Sequence, residues 1–174
     1  MFILKILAKF VKVLQSAESP TQVAWGFALG SIIGLTPTMS LHNLILLILI
    51  FILKVNIAAA MLSFILFSLV AFLFDPLFHS IGYFFLVEVR PIFPFWTDLY
   101  NAPVAPLTRY NNTILMGSLI CALLALYPNY LWFKWFIKKY RETWGEKINN
   151  WKIVRVVKGS KIVRLYVRIK NLGE

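Results

Sequence analysis

His42 and His79 are the only histidines of the chain, and Asp75 is the only acidic residue between Glu18 and Glu88. All three stand in otherwise apolar runs, where an ionisable side chain is costly to keep and so marks a candidate site. Imidazole titrates near neutral pH, so His42, Asp75 and His79 make a candidate proton relay if the fold brings them together. His42 sits in the polar stretch Thr36-Pro37-Thr38-Met39-Ser40-Leu41-His42-Asn43. If Thr38 or Ser40 caps the helix that follows, the free amides and positive end of that helix favour a phosphate or carboxylate. Asn43 and Asn56 add hydrogen-bonding capacity. Plainer roles compete. Asp75 directly before Pro76 suits a helix N-cap, His79 then lies one turn on at an outer interface, and His42 satisfies a carbonyl freed by the proline break.

Catalytic and metal chemistry find little footing. There is no serine paired with a positioned base and acid, no glycine-rich phosphate loop, and no compact ligand spacing such as His-Glu-x-x-His. The expectation is no catalytic residue, no metal and no cofactor. A lipid phosphatase or transferase using His42 has nothing else in the sequence behind it.

The elements that must position these residues follow from composition. Of 174 residues, 60% are hydrophobic and 14% charged, with mean hydropathy +0.75. That is one domain's worth of chain, with more apolar surface than a soluble domain of this size can cover, so the class is all-α integral membrane protein. The net charge of +11 is polarised: Lys5, Lys9 and Lys12 stand at the start, and twelve Lys and Arg lie from position 134 to 170. Between them stand only Lys54, Arg90 and Arg109. Positive charge at both ends places both termini in the cytoplasm and requires an even number of crossings. The charges flank apolar spans, so anionic lipid headgroups are the expected partner, and nucleic acid is not. The single Cys121 excludes an intramolecular disulfide, and no cleavable signal peptide is evident.

Residues 1–150 read as one membrane domain. Positions 1–17 hold an amphipathic interfacial helix, with Lys5, Lys9 and Lys12 on one face. Residues 19–54 form two apolar arms around the polar stretch, each shorter than the roughly 20 residues that cross a bilayer, which predicts a re-entrant helical hairpin. Ser19-Pro20 starts its first arm, Pro37 ends it, and Gly26, Gly30 and Gly34 four apart form a helix-packing groove. Residues 55–89 read as an outward span broken at Asp75-Pro76, residues 90–112 as an outer loop, and residues 113–137 as the return span with Pro128 as a kink. Residues 151–174 are a basic cytoplasmic tail, either a surface helix or a hairpin turning at Gly159-Ser160. Proline followed by histidine recurs as Pro37/His42 and Pro76/His79, the pattern of paired interrupted spans in transporters built from repeats.

Ser19-Pro20, Val23-Ala24, Gly26-Phe27-Ala28, Gly30, Gly34, Thr36-Pro37, Ser40-Leu41-His42-Asn43-Leu44 and Val55-Asn56 together resemble an uncharacterised bacterial inner-membrane family, the domain of unknown function two-zero-six-two. The likeness runs on through Asp75-Pro76-Leu77-Phe78-His79, Leu99-Tyr100-Asn101, Asn111-Asn112-Thr113 and Met116-Gly117-Ser118, and looks like a subgroup of short proteins within it. The resemblance implies a multi-pass, mostly helical protein of the bacterial inner membrane. Some relatives carry the domain beside glycosyltransferase-like regions, which implies envelope polysaccharide or polyprenyl-lipid pathways. It carries over no activity.

The expected function is transporter-like or lipid-handling, with an anionic lipid or envelope precursor bound at the hairpin tip by Thr38, Ser40, His42 and Asn43. The alternative is a non-catalytic membrane scaffold, homo-oligomeric or bound to a membrane partner protein, that docks through Gly26, Gly30 and Gly34.

Overall fold

The computed structural model describes residues 10, 11 and 13–144. The interfacial helix expected over residues 1–17 falls mostly outside them, and the basic tail over 151–174 wholly so. Among the described residues every regular element is helical. The chain divides into two compact units, Glu18–Lys134 and a smaller one that joins Met1–Ala17 to Trp135–Glu174.

The larger unit opens with α1, Pro20–Leu35. Ser19 caps it in a reciprocal box: Gln22 N donates to Ser19 Oγ, and Ser19 N donates to Gln22 Oε1 at 3.1 Å. Pro37 follows the extended Thr36 and stops it. Helix α2, Leu41–Ile52, returns the chain, and Lys54, with a left-handed φ of 50°, turns it again. Helix α3, Ile57–Tyr83, then runs for 27 residues and ends in a π turn, Phe84–Glu88.

Pro76 lies inside α3. The break expected at Asp75-Pro76 is therefore absent, Asp75 caps nothing, and no separate helix begins at Leu77. Proline removes one backbone donor and leaves the Phe72 carbonyl without its usual partner. Long apolar helices absorb that loss where neighbouring helices pack around them. The two proline–histidine segments are consequently unlike: the first reverses the chain and the second does not.

The far end of α3 leads through Arg90–Ile92, helix α4 (Phe93–Asn101) and the 3-10 turn Ala105–Thr108 into α5, Thr113–Lys139. The stretch expected as a loop is thus mostly short helices, and Pro128 also lies inside a helix.

Glycines set the helix arrangement. Any Cβ on Gly26 would meet the backbone of Asn56, one on Gly30 the backbone of Ala60, and one on Gly34 the Phe64 carbonyl at 2.7 Å. Steps of four on α1 match steps of four on α3, so the two helices run parallel with their backbones in contact. The same test pairs Gly82 with Thr113 and Gly117 with Phe78, which sets α5 antiparallel to α3. On α1, Phe27 stacks on Phe133 with ring centres 3.7 Å apart, and Asn129 Nδ2 donates to Ser31 Oγ. From Val23 onward, every residue of α1 but Trp25 is buried. Its glycine face is filled by α3 of the same chain, so the scaffold alternative has no free glycine surface on which to dock a partner.

Register also fixes how far the hairpin reaches. Gly34 stands level with residues 64–68 of α3, and α3 continues to Tyr83, about 22 Å further. The turn between α1 and α2 thus ends partway along α3. At its other end, Asn56 N donates to Gln22 O, and Asn56 Oδ1 accepts from Ala59 N at 2.6 Å as the N-cap of α3. Asn56→Ala removes that cap, and we expect thermal melts of purified protein to report a loss of about 1–2 kcal/mol.

Ile57–Glu88 and Thr113–Thr143 are long and apolar enough to cross a membrane, and only 22% and 28% of their apolar windows are buried. The core helix of a soluble protein would be mostly buried. Here Phe72, Leu73 and Leu124 are each at least 74% exposed.

In the smaller unit, Arg141 Nε and Nη2 donate to the carbonyls of Leu14 and Ser16, at 3.1 and 2.9 Å. Gln15 Nε2 donates to Tyr140 Oη, and Phe10 packs on Phe136. The guanidinium thus satisfies carbonyls left open where the helical residues ahead of Gln15 end, the favoured end for a cation.

Candidate functional site: the hairpin tip

Thr36, Ser40 and Asn43 are buried at the tip and hold it together through one another. Thr36 Oγ1 donates to Ile32 O at 2.9 Å and lies 3.0 Å from Asn43 Oδ1, so its one hydrogen is shared between two acceptors. Asn43 Nδ2 donates to Pro37 O at 3.0 Å, and Ser40 Oγ donates to the same carbonyl at 2.9 Å. The Pro37 carbonyl, which helix geometry cannot satisfy in the turn, receives two donors.

That arrangement also holds the histidine. Ser40 Oγ bonds Pro37 O, a group that can only accept. His42 Nε2 lies 3.2 Å from Ser40 Oγ, a bond whose direction follows the imidazole tautomer. No protein group meets Nδ1 among the described residues.

Ser40 occupies the N-cap position of α2, but its side chain makes no capping bond. The cap expected from Ser40 or Thr38 is not formed, because the Ser40 hydroxyl turns back to Pro37. The first amides bonded within the tip are those of Asn43 and Leu44, both to Ser40 O. The amides of residues 38–42 have no partner among the described residues. Thr38 itself is exposed, with Pro37 and Met39 beside it.

The other sequence candidates lie elsewhere. Asn56 is at the opposite end of the hairpin and works as a cap. Asp75 is half-buried on α3 with no hydrogen bond or ion pair among the described residues. His79, one turn on and on the same face, is exposed, and its Nδ1 lies 2.7 Å from Thr113 Oγ1. It shares a groove of about 280 Å³ with Ser80, Tyr83 and Glu88. His42 and His79 have no partner in common, so the bonds in the structure do not form the expected relay.

Thr36 anchors the lattice although the sequence points first to Thr38. The available signal was its place before Pro37 and seven residues ahead of Asn43. Nothing local in the sequence marks the Thr113–His79 bond or the cleft of about 370 Å³ beside α4, which includes Phe93, Trp96, Tyr100 and Tyr110.

The fold and the tip define a class: among the described residues, an all-helical protein with two helices able to cross a membrane and a short apolar hairpin packed along the first of them. Within that class, the chain belongs to the family described as "Uncharacterized protein conserved in bacteria (DUF2062)", whose model matches residues 5–144. A protein of Treponema pallidum (strain Nichols), described as "Uncharacterized protein", is 27% identical over 161 residues, covering 92% of this chain and 99% of its own length. No solved structure matches.

Proposed function

We propose that the chain is an integral protein of the bacterial inner membrane with both termini cytoplasmic, and that its α1–α2 hairpin enters the bilayer beside α3 and turns back partway. In this reading the protein is transporter-like or lipid-handling and takes an anionic lipid or envelope precursor at the tip. The supporting observation is the run of unpartnered amides at residues 38–42 beside the unmet Nδ1 of His42. Successive free amides at the positive end of a helix favour a phosphate or carboxylate. The imidazole adds a second charge-sensitive group. At membrane depth such amides persist only against protein, ligand or trapped water, and the tip ends partway along α3, a 27-residue apolar helix.

Lipid mass spectrometry on gently purified protein tests the reading. We expect one anionic lipid class to be enriched over the bulk membrane, and His42→Ala to reduce that enrichment at least tenfold at unchanged protein yield. Equal retention by the variant rejects the tip as the binding site.

A further inference from the structure

Four aromatic rings converge on the cleft of about 370 Å³ beside α4. Phe93, Trp96 and Tyr100 come from α4 itself. Tyr110 comes from the connection to α5, which doubles back so that Ala105–Thr108 lies against α2. The remaining apolar wall belongs to the π turn that ends α3. Such turns are rare and frequent at functional sites.

A membrane-interface belt scatters its aromatics around the helix ends. Here they gather in one concavity, and two of them are locked. Trp96 Nε1 donates to Phe85 O at 3.2 Å, and Tyr110 Oη donates to Trp96 O at 2.9 Å. The two rings stack with centres 5.7 Å apart and planes within 21° of parallel. Their polar atoms are thus spent inside the protein, and they offer a ligand only ring surface. A platform held in this way has little side-chain freedom left to lose on binding.

The polar atoms left over are uncharged. The Tyr100 hydroxyl and the Asn111 amide line the cleft and make no hydrogen bond among the described residues. Thr97 Oγ1 donates to Phe93 O at 3.0 Å and keeps its lone pairs. No charged side chain among the described residues lines the cleft.

This set discriminates between ligands. A phosphate or carboxylate would find no cation to pair with. A quaternary ammonium or an acyl chain would use the rings and leave the amide and hydroxyls idle. A sugar ring uses both: its C–H face lies on the negative face of an aromatic ring, and its hydroxyls exchange hydrogen bonds with the amide and hydroxyls. The volume falls at the small end of the range for ligand sites, about 300–1,000 Å³, which suits a short saccharide.

We propose that this cleft binds a neutral sugar unit, stacked on the locked aromatic platform and hydrogen-bonded by Tyr100, Asn111 and Thr97. The site is separate from the hairpin tip. The re-entrant reading above adds only that the cleft stands at the outer face.

Saturation-transfer-difference NMR on the full chain in phosphatidylglycerol nanodiscs tests the proposal. Maltoside and glucoside detergents are avoided because they would fill the cleft themselves. The probes are maltose, cellobiose and N,N′-diacetylchitobiose, with glucuronic acid and tetramethylammonium as charged comparators. We expect transfer to the ring hydrogens of at least one neutral disaccharide. Asn111→Ala and Trp96→Phe should each reduce it at least fivefold, and Tyr100→Phe by less. Asn111 is exposed, so its variant should melt as the parent does, which separates lost binding from lost folding. Leu123→Ala, on an outward face, should leave the signal unchanged. No transfer to any of the disaccharides overturns the proposal, as does stronger transfer to a charged comparator or a signal that every cleft variant preserves. Each of these results leaves the tip reading standing, because the His42→Ala lipid comparison does not involve the cleft.

Discussion

Gly30→Leu yields no folded protein. Even a single methyl at this position would sit 2.7 Å from Ala60 Cα and closer still to the Ala60 carbonyl, so the whole parallel contact of α1 with α3 must open to admit it. The obstacle is backbone, which has no rotamer to change. Overpacking a close-packed site costs about 1–3 kcal/mol where side chains can adjust, and here they cannot. Gly117→Leu should fail in the same way at the α3–α5 contact, where the obstructing atoms belong to Phe78. The alanine variants measure the graded effect, with reduced yield and a lowered melting temperature. Leu123→Ala, on an outward face, is the control and should accumulate normally. Normal accumulation of both leucine variants would show that the helices do not pack in this register.

Asn43→Asp is expected to damage the tip more than Asn43→Leu, although aspartate is the closer match in shape. Asn43 both accepts, from the Thr36 hydroxyl, and donates, to the Pro37 carbonyl. Leucine abandons both bonds. Thr36 keeps Ile32 O and Pro37 keeps Ser40, so the loss is about 1–3 kcal/mol. Aspartate at neutral pH turns an acceptor toward the Pro37 carbonyl and buries a charge with no cation beside it, the Thr36 hydroxyl being its one remaining donor, a cost of about 3–5 kcal/mol. Acidification restores a proton that can be donated to Pro37 O, so the aspartate variant should regain stability as pH falls and the leucine variant should not. Thermal melts across a pH series separate the two. Identical, pH-independent losses would mean that the amide donor is not needed at the tip.

The sequence was most legible where local chemistry decides the outcome. Ser19-Pro20 marks the start of α1, Thr36-Pro37 its end and Thr113 the start of α5, because caps and prolines act on their immediate neighbours. Asp75-Pro76 carries the same local signal and misleads. A long apolar helix packed on its neighbours at Phe78 and Gly82 outweighs one missing backbone bond. The stripe Gly26, Gly30, Gly34 is visible as a period, whereas Gly82 and Gly117 are lone glycines on different helices and acquire meaning only once the helices are antiparallel. At the tip, residue types point to the region but not to the wiring. Which acceptor the Ser40 hydroxyl meets depends on where Pro37 O is left by the turn. The doubling back of residues 93–112 has no local signature, because it depends on a contact with α2 more than fifty residues earlier.

The parallel seam between α1 and α3 also has a bearing on biogenesis. A nascent chain ending at Lys54 has made both arms of the hairpin but has nothing to fill the groove at Gly26, Gly30 and Gly34. Close packing of those arms must wait for the helix that follows them, so helix α1 is synthesised early but settles late.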